Sequence, residues 1–177
     1  MDHLMRQKAP ITAEAWAEID DEARRSLTNY LAARKLIDVS GPHGWGFWAI
    51  PTGRLGAPEP VEGGSVSIRP RVVRPLVEIR TPFSLEREEL DAIGRGACDA
   101  DLEPVVAAAR KAARAEDLAV FQGLSSAGIV GLTEASPHDP VMISDDYAAY
   151  PTHAAEAVAV MREAGVEGPW GIALGPR

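Results

Sequence analysis

The chain has 177 residues, of which 46% are hydrophobic and 25% charged, with a formal net charge of −8. These values fit one globular domain or two small intertwined ones, and they argue against a general nucleic-acid binder, which needs a surplus of Lys and Arg to bind phosphates. No apolar run approaches the ~20 residues that cross a bilayer, and residues 1–10 lack the apolar core of a signal peptide.

Cysteine content indicates the compartment. Cys98 is the only cysteine in the sequence, so neither an internal disulfide nor a cluster of thiolate metal ligands is expected. We therefore expect the protein to work in the reducing cytoplasm.

The first predicted element is an amphipathic helix. Thr12 has the side chain of an N-cap, and Glu14 in the first turn favours the helix dipole. Apolar side chains then recur at steps of three and four residues, which predicts about six turns ending near Lys35, followed by a short strand at residues 36–39. The apolar positions are Trp16, Ile19, Ala23, Leu27, Tyr30 and Leu31.

A long β-hairpin is predicted next. Gly and Pro recur at short intervals from residue 44 to 64, too often for a helix. Two runs of alternating apolar and polar residues follow, at 66–69 and 76–80, and a period of two is typical of strands with one solvated face. The prolines beside these runs cannot donate to a sheet ladder, so they suit an edge or a loop that stands off the body. We interpret residues 44–82 as one extended, projecting hairpin.

Two further helices are predicted after the hairpin. Ser84 is placed to cap a short acidic helix that stops at Gly94. Asp101 is placed to cap a longer helix over residues 102–122, with Gly123 as its stop. The side chains expected to form the buried stripe of this longer helix are Val105, Val106, Ala109, Ala112, Ala113 and Leu118.

The last part of the chain mixes short strands with one helix. A strand is expected at residues 129–132, an irregular connection at 137–144 and a buried strand at 170–174. Thr152 is placed to cap the intervening helix, and Gly165 to stop it. The part of the chain beyond Gly123 is therefore α/β in character.

Patterns for catalysis are weak. The segment from Gly123 to Gly128 lacks the Lys and the Ser or Thr of a phosphate-binding loop, so it predicts a structural turn. Ser125 stands in a G-x-S-x-x-G pattern rather than G-x-S-x-G, and with His138 or His153 it leaves a small serine-type hydrolase as an alternative. The histidines show no metal-ligand spacing, so no metal site is predicted.

Charge is distributed unevenly between the hairpin and the helix after it. Complementary charges of this kind suit contacts between subunits, although two solvated faces explain the pattern equally well. The residues concerned are Arg69, Arg71 and Arg74 on the hairpin and Glu86, Glu88 and Glu89 in the acidic segment.

Short motifs run along the whole chain. They are Trp16-x-x-Ile19, Ala32-Ala33-Arg34-Lys35 with Asp38-Val39, Gly41-Pro42-x-Gly44-Trp45, Phe83-x-Leu85, Leu90-Asp91, Glu116-Asp117, Phe121-x-Gly123, Gly128-Ile129-x-Gly131-Leu132 and Gly165-x-Glu167-Gly168-Pro169. Taken together and in this order, they resemble the encapsulins, the linocin-type family of bacterial shell proteins. So many motifs in one order are far more specific than any one of them.

The resemblance implies an α+β, capsid-like fold of the Hong Kong 97 phage type. The divisions that it implies are an N-terminal helix and arm at 1–43, an extended loop at 44–82, peripheral-domain helices with a long spine helix at 83–123, and an incomplete axial domain at 124–177.

The resemblance also implies a function without catalysis. Encapsulin subunits assemble into closed icosahedral shells in the cytoplasm, and the shells enclose cargo enzymes such as ferritin-like proteins or dye-decolourising peroxidases. A short C-terminal peptide of the cargo docks in a groove on the luminal face, and an apolar floor with charges at its rim suits an extended peptide. The positions here that match this groove are Leu27, Tyr30, Leu31, Arg34 and Asp38. The older linocin name leaves a secreted antibacterial protein as a further alternative, although an acidic chain suits membrane attack poorly.

The sequence departs from the family in two respects. It stops soon after residues 170–174, where family members continue through more of the axial domain, so we expect a fragment of a longer gene product. Some relatives bind a flavin through an aromatic ring near the short acidic helix. Here that segment reads Glu86-Arg87-Glu88-Glu89, without a ring, and no flavin or other cofactor is expected.

Overall fold

The computed structural model describes residues 4–61 and 66–174 and shows a mixed α+β chain, which confirms the predicted class at that level. The helices are α1 Ala13–Tyr30, α2 Arg87–Gly94, α3 Glu103–Phe121, α4 Leu132–Ala135 and α5 Tyr150–Glu163. The strands are β1 Ala49–Leu55, β2 Glu59–Val61, β3 Val66–Ile68, β4 Arg71–Pro75, β5 Gly123–Leu124 and β6 Ile129–Val130. No helix in the described ranges is long and apolar enough to cross a membrane.

Helix α1 begins as predicted and ends early. The Thr12 side chain accepts a hydrogen bond from the Ala15 amide at 3.2 Å, which confirms the N-cap. The helix stops at Tyr30 rather than near Lys35, and the chain continues as a 3-10 turn, Ala33–Lys35. The strand predicted at residues 36–39 is wrong, because the turn occupies its start and no strand among the described residues pairs with it.

Strands β1–β4 form an antiparallel ribbon, which we call the ribbon below. Strand β1 pairs with β4, with Ala49 opposite Pro75 and Leu55 opposite Arg71, and β2 pairs with β3. The strand predicted at residues 76–80 is wrong, because pairing ends at the base of the ribbon, where the Leu76 amide donates to the Trp48 carbonyl at 3.0 Å. The following residues run towards the helices.

Helices α2 and α3 lie close to their predicted positions. Helix α2 begins at Arg87 and has no side-chain cap, so the predicted cap at Ser84 is wrong. The N-cap position of α3 is Leu102, which has no side-chain cap, so the predicted cap at Asp101 is also wrong; Asp101 lies one residue earlier, where its Oδ1 accepts from the Glu103 amide at 3.0 Å. The buried face of α3 is rotated from the predicted stripe, since Ala108 is buried whereas Leu118 is 41% exposed.

The core lies where α1 packs against α3, with α2 packed on α1. Ala15 and Ile19 of α1 are buried together with Val105 and other small residues of α3, and α2 contributes Ile93. The small side chains of α3 allow the two helix backbones to approach closely. The buried α3 residues are Val105, Ala108, Ala109 and Ala113.

A tight turn follows α3. Strand β5 pairs with β6, and Gly123 between helix and strand has a φ of +83°, which a residue with a Cβ rarely adopts. A Cβ there would also lie 2.7 Å from the Ile129 carbonyl oxygen. The predicted structural turn is thus present, and the strand expected at 129–132 ends at Val130.

The final segments differ from two predictions. Helix α5 begins at Tyr150, so Thr152 lies inside the helix rather than capping it, because Pro151 is accommodated in the first turn. Residues 170–174 do not form the predicted buried strand, and Ile172 and Leu174 are 68% and 70% exposed. Residues 171–174 have no strand to pair with in the described parts of the chain, which leaves their apolar side chains uncovered.

The chain exposes far more surface than a compact protein of its mass. Its accessible area is 14096 Å², against about 8,300 Å² for a compact monomer of 18.9 kDa. Large apolar side chains are among the exposed residues, and those on the ribbon include Leu55, Val66, Ile68 and Val73.

Candidate binding groove

A groove of about 840 Å³ runs between α1, the 3-10 turn and α3. Its apolar lining comes from Ala23, Leu27, Leu31, Ile79 and Ala112. Its polar and charged lining comes from Asp20, Arg24, Thr28, Arg34, Lys35 and Glu116. An apolar floor with charged edges is suited to an extended peptide, because burial supplies affinity and the edges define the register.

The floor follows from the spacing along α1. Ala23, Leu27 and Leu31 are four residues apart, so they lie on one face of the helix and its end. Leu31 is 8% exposed and Leu27 is half-buried. Ala112 faces them from α3, and Ile79 approaches from the segment after the ribbon. The segment predicted as a strand at 76–80 therefore contributes one wall of the groove.

Arg34 is held by α3. Its guanidinium makes two hydrogen bonds to the Glu116 carboxylate, at 2.5 and 2.8 Å. The hydrogen bond from Glu116 raises the pKa of Arg34 above its usual value, with burial acting in the opposite direction. The positive charge at this edge of the groove is thus already balanced within the chain.

Asp117 holds the backbone of the same turn. Its two carboxylate oxygens accept from the amides of Ala32 and Ala33, at 3.1 and 2.9 Å. These amides would otherwise continue the hydrogen-bond ladder of α1, so Asp117 also explains why that helix ends at Tyr30. On the far side of the turn, Lys35 Nζ donates to the Asn29 carbonyl at 3.1 Å.

The other edge of the groove is fixed by the N-terminal segment. Arg6 donates two hydrogen bonds to the Asp20 carboxylate, at 2.6 and 2.8 Å, and its guanidinium lies 4.6 Å from the centre of the Trp16 ring. The hydrogen bond from Arg6 lowers the pKa of Asp20. Arg24 forms an ion pair with Asp21 on the same helix.

Three of the five groove residues expected from the sequence line this groove. They are Leu27, Leu31 and Arg34. Tyr30 and Asp38 are not among the lining residues, and the Tyr30 hydroxyl accepts a hydrogen bond from Arg110 of α3 at 2.8 Å. Sequence reasoning missed Ile79, Ala112 and Glu116, which come from separate segments, although the Glu116-Asp117 motif was one signal of an important position.

The charged residues expected at a subunit interface differ in how they are engaged. Arg69 donates to the Gly56 carbonyl at 3.1 Å, and Glu89 accepts from the Asp101 amide at 2.9 Å. No hydrogen bond or ion pair within residues 4–61 and 66–174 engages the side chains of Arg71, Arg74, Glu86 or Glu88, and all four are exposed. Arg69 and Glu89 thus form hydrogen bonds within the chain, whereas the side chains of the other four residues remain available for contacts with another molecule.

The geometry gives no support to the hydrolase alternative. Across the described ranges, no hydrogen bond joins Ser125 to His138 or His153. His153 instead lies next to Ser144, with Nε2 3.5 Å from its hydroxyl oxygen. No group of three or more His, Cys, Asp or Glu residues in that part of the molecule is placed to hold a metal ion.

Comparison with known proteins defines the class first. Over residues 1–177 the chain matches the linocin family, which is described as "Encapsulating protein for peroxidase". It is 49% identical over 180 residues to a type 1 encapsulin shell protein of Rhodospirillum rubrum, covering 99% of this chain and 64% of that protein. It is 41% identical over 175 residues to the type 1 encapsulin shell protein of Mycobacterium tuberculosis, covering 98% and 65%. The chain belongs to the encapsulin family.

The extent of these matches is uneven. The chain spans a little under two thirds of the length of both relatives. A "Diheme-cytochrome-encapsulin shell fusion protein" of Kuenenia stuttgartiensis is 29% identical over 142 residues, which cover 76% of this chain and 39% of that protein.

Proposed function

We propose that this chain is the shell-forming part of an encapsulin subunit, which assembles with further copies into a closed icosahedral compartment and has no catalytic role. The observation that carries the proposal is the match of nearly the whole chain to proteins named as encapsulin shell proteins. The large exposed surface supports it, because apolar area left in water by one chain is available to be covered by another.

The proposed architecture is the capsid-like fold of the Hong Kong 97 phage type. Residues 44–82 would form the extended loop, 83–123 the peripheral domain with α3 as its spine, and 124–177 part of the axial domain, after an N-terminal arm at 1–43. The pairing of β1 with β4 supports an extended loop, because these strands pair with each other rather than with any other described strand.

Assembly would depend on contacts between the ribbon of one copy and α2 of the next. Arg71 and Arg74 are exposed on β4, whereas Glu86 and Glu88 are exposed at the start of α2. Opposite charges on two surfaces of the same chain steer two copies into a head-to-tail contact. Arg69 and Glu89 contribute to this contact indirectly, by shaping the elements that carry the free charges.

The groove is the proposed docking site for a C-terminal peptide of a cargo enzyme, such as a peroxidase of the dye-decolourising type or a ferritin-like protein. Leu27 and Leu31 would bury apolar side chains of the peptide, and Arg34 would form one edge. Tyr30 and Asp38 would contact only a peptide that extends beyond the lining. The family description, which names a peroxidase, supports cargo of that class. The proposed location is the cytoplasm.

Particle size tests the shell proposal. We expect light scattering and negative-stain microscopy of the purified full-length gene product to show uniform hollow spheres. Mass spectrometry of particles purified from the native host would then identify the enclosed protein. A full-length product that remains a monomer or dimer under all tested conditions would contradict the proposal.

A further inference from the structure

Two consecutive carboxylates near the end of α3 hold the turn that follows α1. Glu116 binds the Arg34 guanidinium through two hydrogen bonds of 2.5 and 2.8 Å. Asp117 accepts from the amides of Ala32 and Ala33 at 3.1 and 2.9 Å. We call this arrangement of Glu116 and Asp117 on the turn the carboxylate clamp.

The clamp supplies hydrogen-bond acceptors to two backbone amides, one of which, at Ala33, belongs to a buried residue. Ala33 is fully buried, so without Asp117 its amide would have no hydrogen-bond acceptor and no access to water in place of it. The turn's own hydrogen bonds run from later amides to the carbonyls of Ala32 and Ala33, and they do not use these two donors. Asp117 therefore does for this turn what a capping side chain does for a helix, although it comes from another element.

The clamped turn forms one wall of the groove. Leu31 lies immediately before the clamped amides and Arg34 immediately after them, and both line the groove. Ala112, which lines the opposite wall, lies one helical turn before Glu116 on α3. The hydrogen bonds of the clamp thus fix the distance between the two walls.

We propose that Asp117 is a positioning residue, which sets the width of the groove and thereby its affinity for an apolar peptide, without contacting that peptide. Asp117 is not among the lining residues, so its effect passes through Leu31 and Arg34. This inference rests on the proposed docking of a cargo peptide in the groove.

The structure suggests a variant that restores the turn by another route. Ala32 has a φ of −80°, and Leu31 before it is extended with ψ 97°. Both conformations are compatible with proline at position 32. A proline there has no backbone N–H, so it needs no acceptor from Asp117, and its ring restricts the backbone conformation of the turn. The Asp117 carboxylate lies next to the Ala32 amide, where the proline ring would stand, so the Asp117→Ala change leaves space for that ring.

The experiment uses assembled shells of the full-length protein and a synthetic peptide with the C-terminal sequence of the protein that copurifies with them. Asp117→Ala is expected to bind this peptide about tenfold more weakly, which corresponds to about 1.4 kcal/mol. Hydrogen exchange at Ala32 and Ala33, followed by mass spectrometry, should become faster. The double variant Ala32→Pro with Asp117→Ala should recover part of the affinity.

Asp99→Ala is the matched control, because Asp99 is exposed and makes no hydrogen bond in the described part of the chain. It should leave both affinity and exchange unchanged. Unchanged affinity in Asp117→Ala overturns the inference, and so does weaker binding that Ala32→Pro fails to recover. If Asp117→Ala does not assemble, Asp117→Asn, which retains one acceptor, is measured with the same expected direction. A parent shell that does not bind the peptide at all overturns the proposed groove function instead.

Discussion

At the scale of single residues, Asp20 connects the N-terminal segment to α1. Its carboxylate is bound by Arg6 through two hydrogen bonds, and the Arg6 guanidinium lies over Trp16. The hydrogen bond from Arg6 is the largest cause of the lowered pKa of Asp20, followed by burial, which opposes it, and by attraction to Arg6 and Arg24. Asp20 is therefore a carboxylate whose ionised form is favoured by folding.

This pKa sets the pH range in which Asp20 stabilises the fold. Because the pKa of Asp20 is lower in the folded chain than its usual 3.8, its contribution is present above that value and is lost as the pH falls through the folded pKa. The side chain is 38% exposed, so solvent screening limits the contribution to about 0.5 kcal/mol. We expect Asp20→Asn to lower the unfolding midpoint in urea slightly at neutral pH, with the difference from the parent disappearing in strong acid. A difference that grows with acidity would contradict this assignment.

Two glycines in the turn after α3 give a residue-scale comparison. Gly128 has a φ of +64° with open space around it, whereas a Cβ on Gly131 would lie 2.3 Å from the carbonyl carbon of Gln122. We expect Gly128→Ala to cost about 1 kcal/mol through backbone strain, and Gly131→Ala to cost about 3 kcal/mol through overlap. Urea unfolding of the two variants measures both values. Equal losses would mean that the turn relaxes around the new side chain.

Helix caps show what local sequence can predict. Thr12 was predicted correctly, because its side chain and the apolar run after it agree. Thr152 was predicted wrongly, because Pro151 fits the first turn and the helix starts before it. An N-cap can be predicted from the sequence when a single capping residue precedes the helix. The prediction becomes ambiguous when a nearby proline allows the helix to begin earlier.

At the scale of elements, α3 and the ribbon have different roles. Val105 on α3 is 2% exposed in the core, whereas Val72 on β4 is 41% exposed. We expect Val105→Ala to destabilise the subunit by about 2 kcal/mol, whereas Val72→Ala should change subunit stability little. Thermal unfolding of unassembled subunits measures both effects. A similar loss from Val72→Ala would show that the ribbon packs against the body.

The end of α1 is the clearest limit of sequence-based prediction at this scale. The hydrophobic repeat continues through Leu31, yet the helix stops at Tyr30 because Asp117 takes the next amides. Asp117 lies 85 residues away from Ala32 along the chain. The apolar pattern near Leu31 cannot show that a residue so distant in sequence ends the helix. The family resemblance, in contrast, includes Glu116-Asp117 among its motifs.

At the scale of the whole molecule, the available charges of the ribbon predict how assembly responds to mutation. In the proposed contact, Arg71→Glu with Arg74→Glu would place negative charge opposite Glu86 and Glu88 of a neighbouring copy, so we expect fewer or no shells from a subunit that stays soluble. Lys111→Glu with Arg114→Glu on α3 changes the net charge equally and serves as the control, because both side chains are exposed without a side-chain partner in the described residues. Size-exclusion chromatography and microscopy count the particles. Normal shells from the ribbon variant would refute charge pairing.

The same contact predicts a dependence on salt. Exposed charges more than about 10 Å apart are largely screened at 0.1 M salt, so steering between copies should weaken as ionic strength rises. We expect slower assembly in high salt for the parent chain and a smaller effect for the ribbon variant, measured by light scattering over time. An equal response in both would point to apolar burial as the main driving force.

The groove could be predicted from the sequence only in part. Leu27, Leu31 and Arg34 follow one another along one helix and its turn, so a family resemblance identified them together. Ile79 and Ala112 come from distant segments with no local signal, and the fold alone brings them to the same site. The apolar periods predicted individual helices and strands, whereas the α+β class of the whole chain came from the family resemblance.

The exposed apolar side chains of the ribbon have a consequence for synthesis in the cell. If the proposed shell function is correct, a newly made chain carries Leu55, Val66 and Ile68 in water until a neighbouring copy covers them, and such segments also attract strands of unrelated chains. The proposed assembly would therefore compete with aggregation for the same molecules during this interval, and the outcome would depend on concentration and on temperature. Yield of intact particles should accordingly rise when expression is slowed and cooled, even though the stability of the finished particle is unchanged.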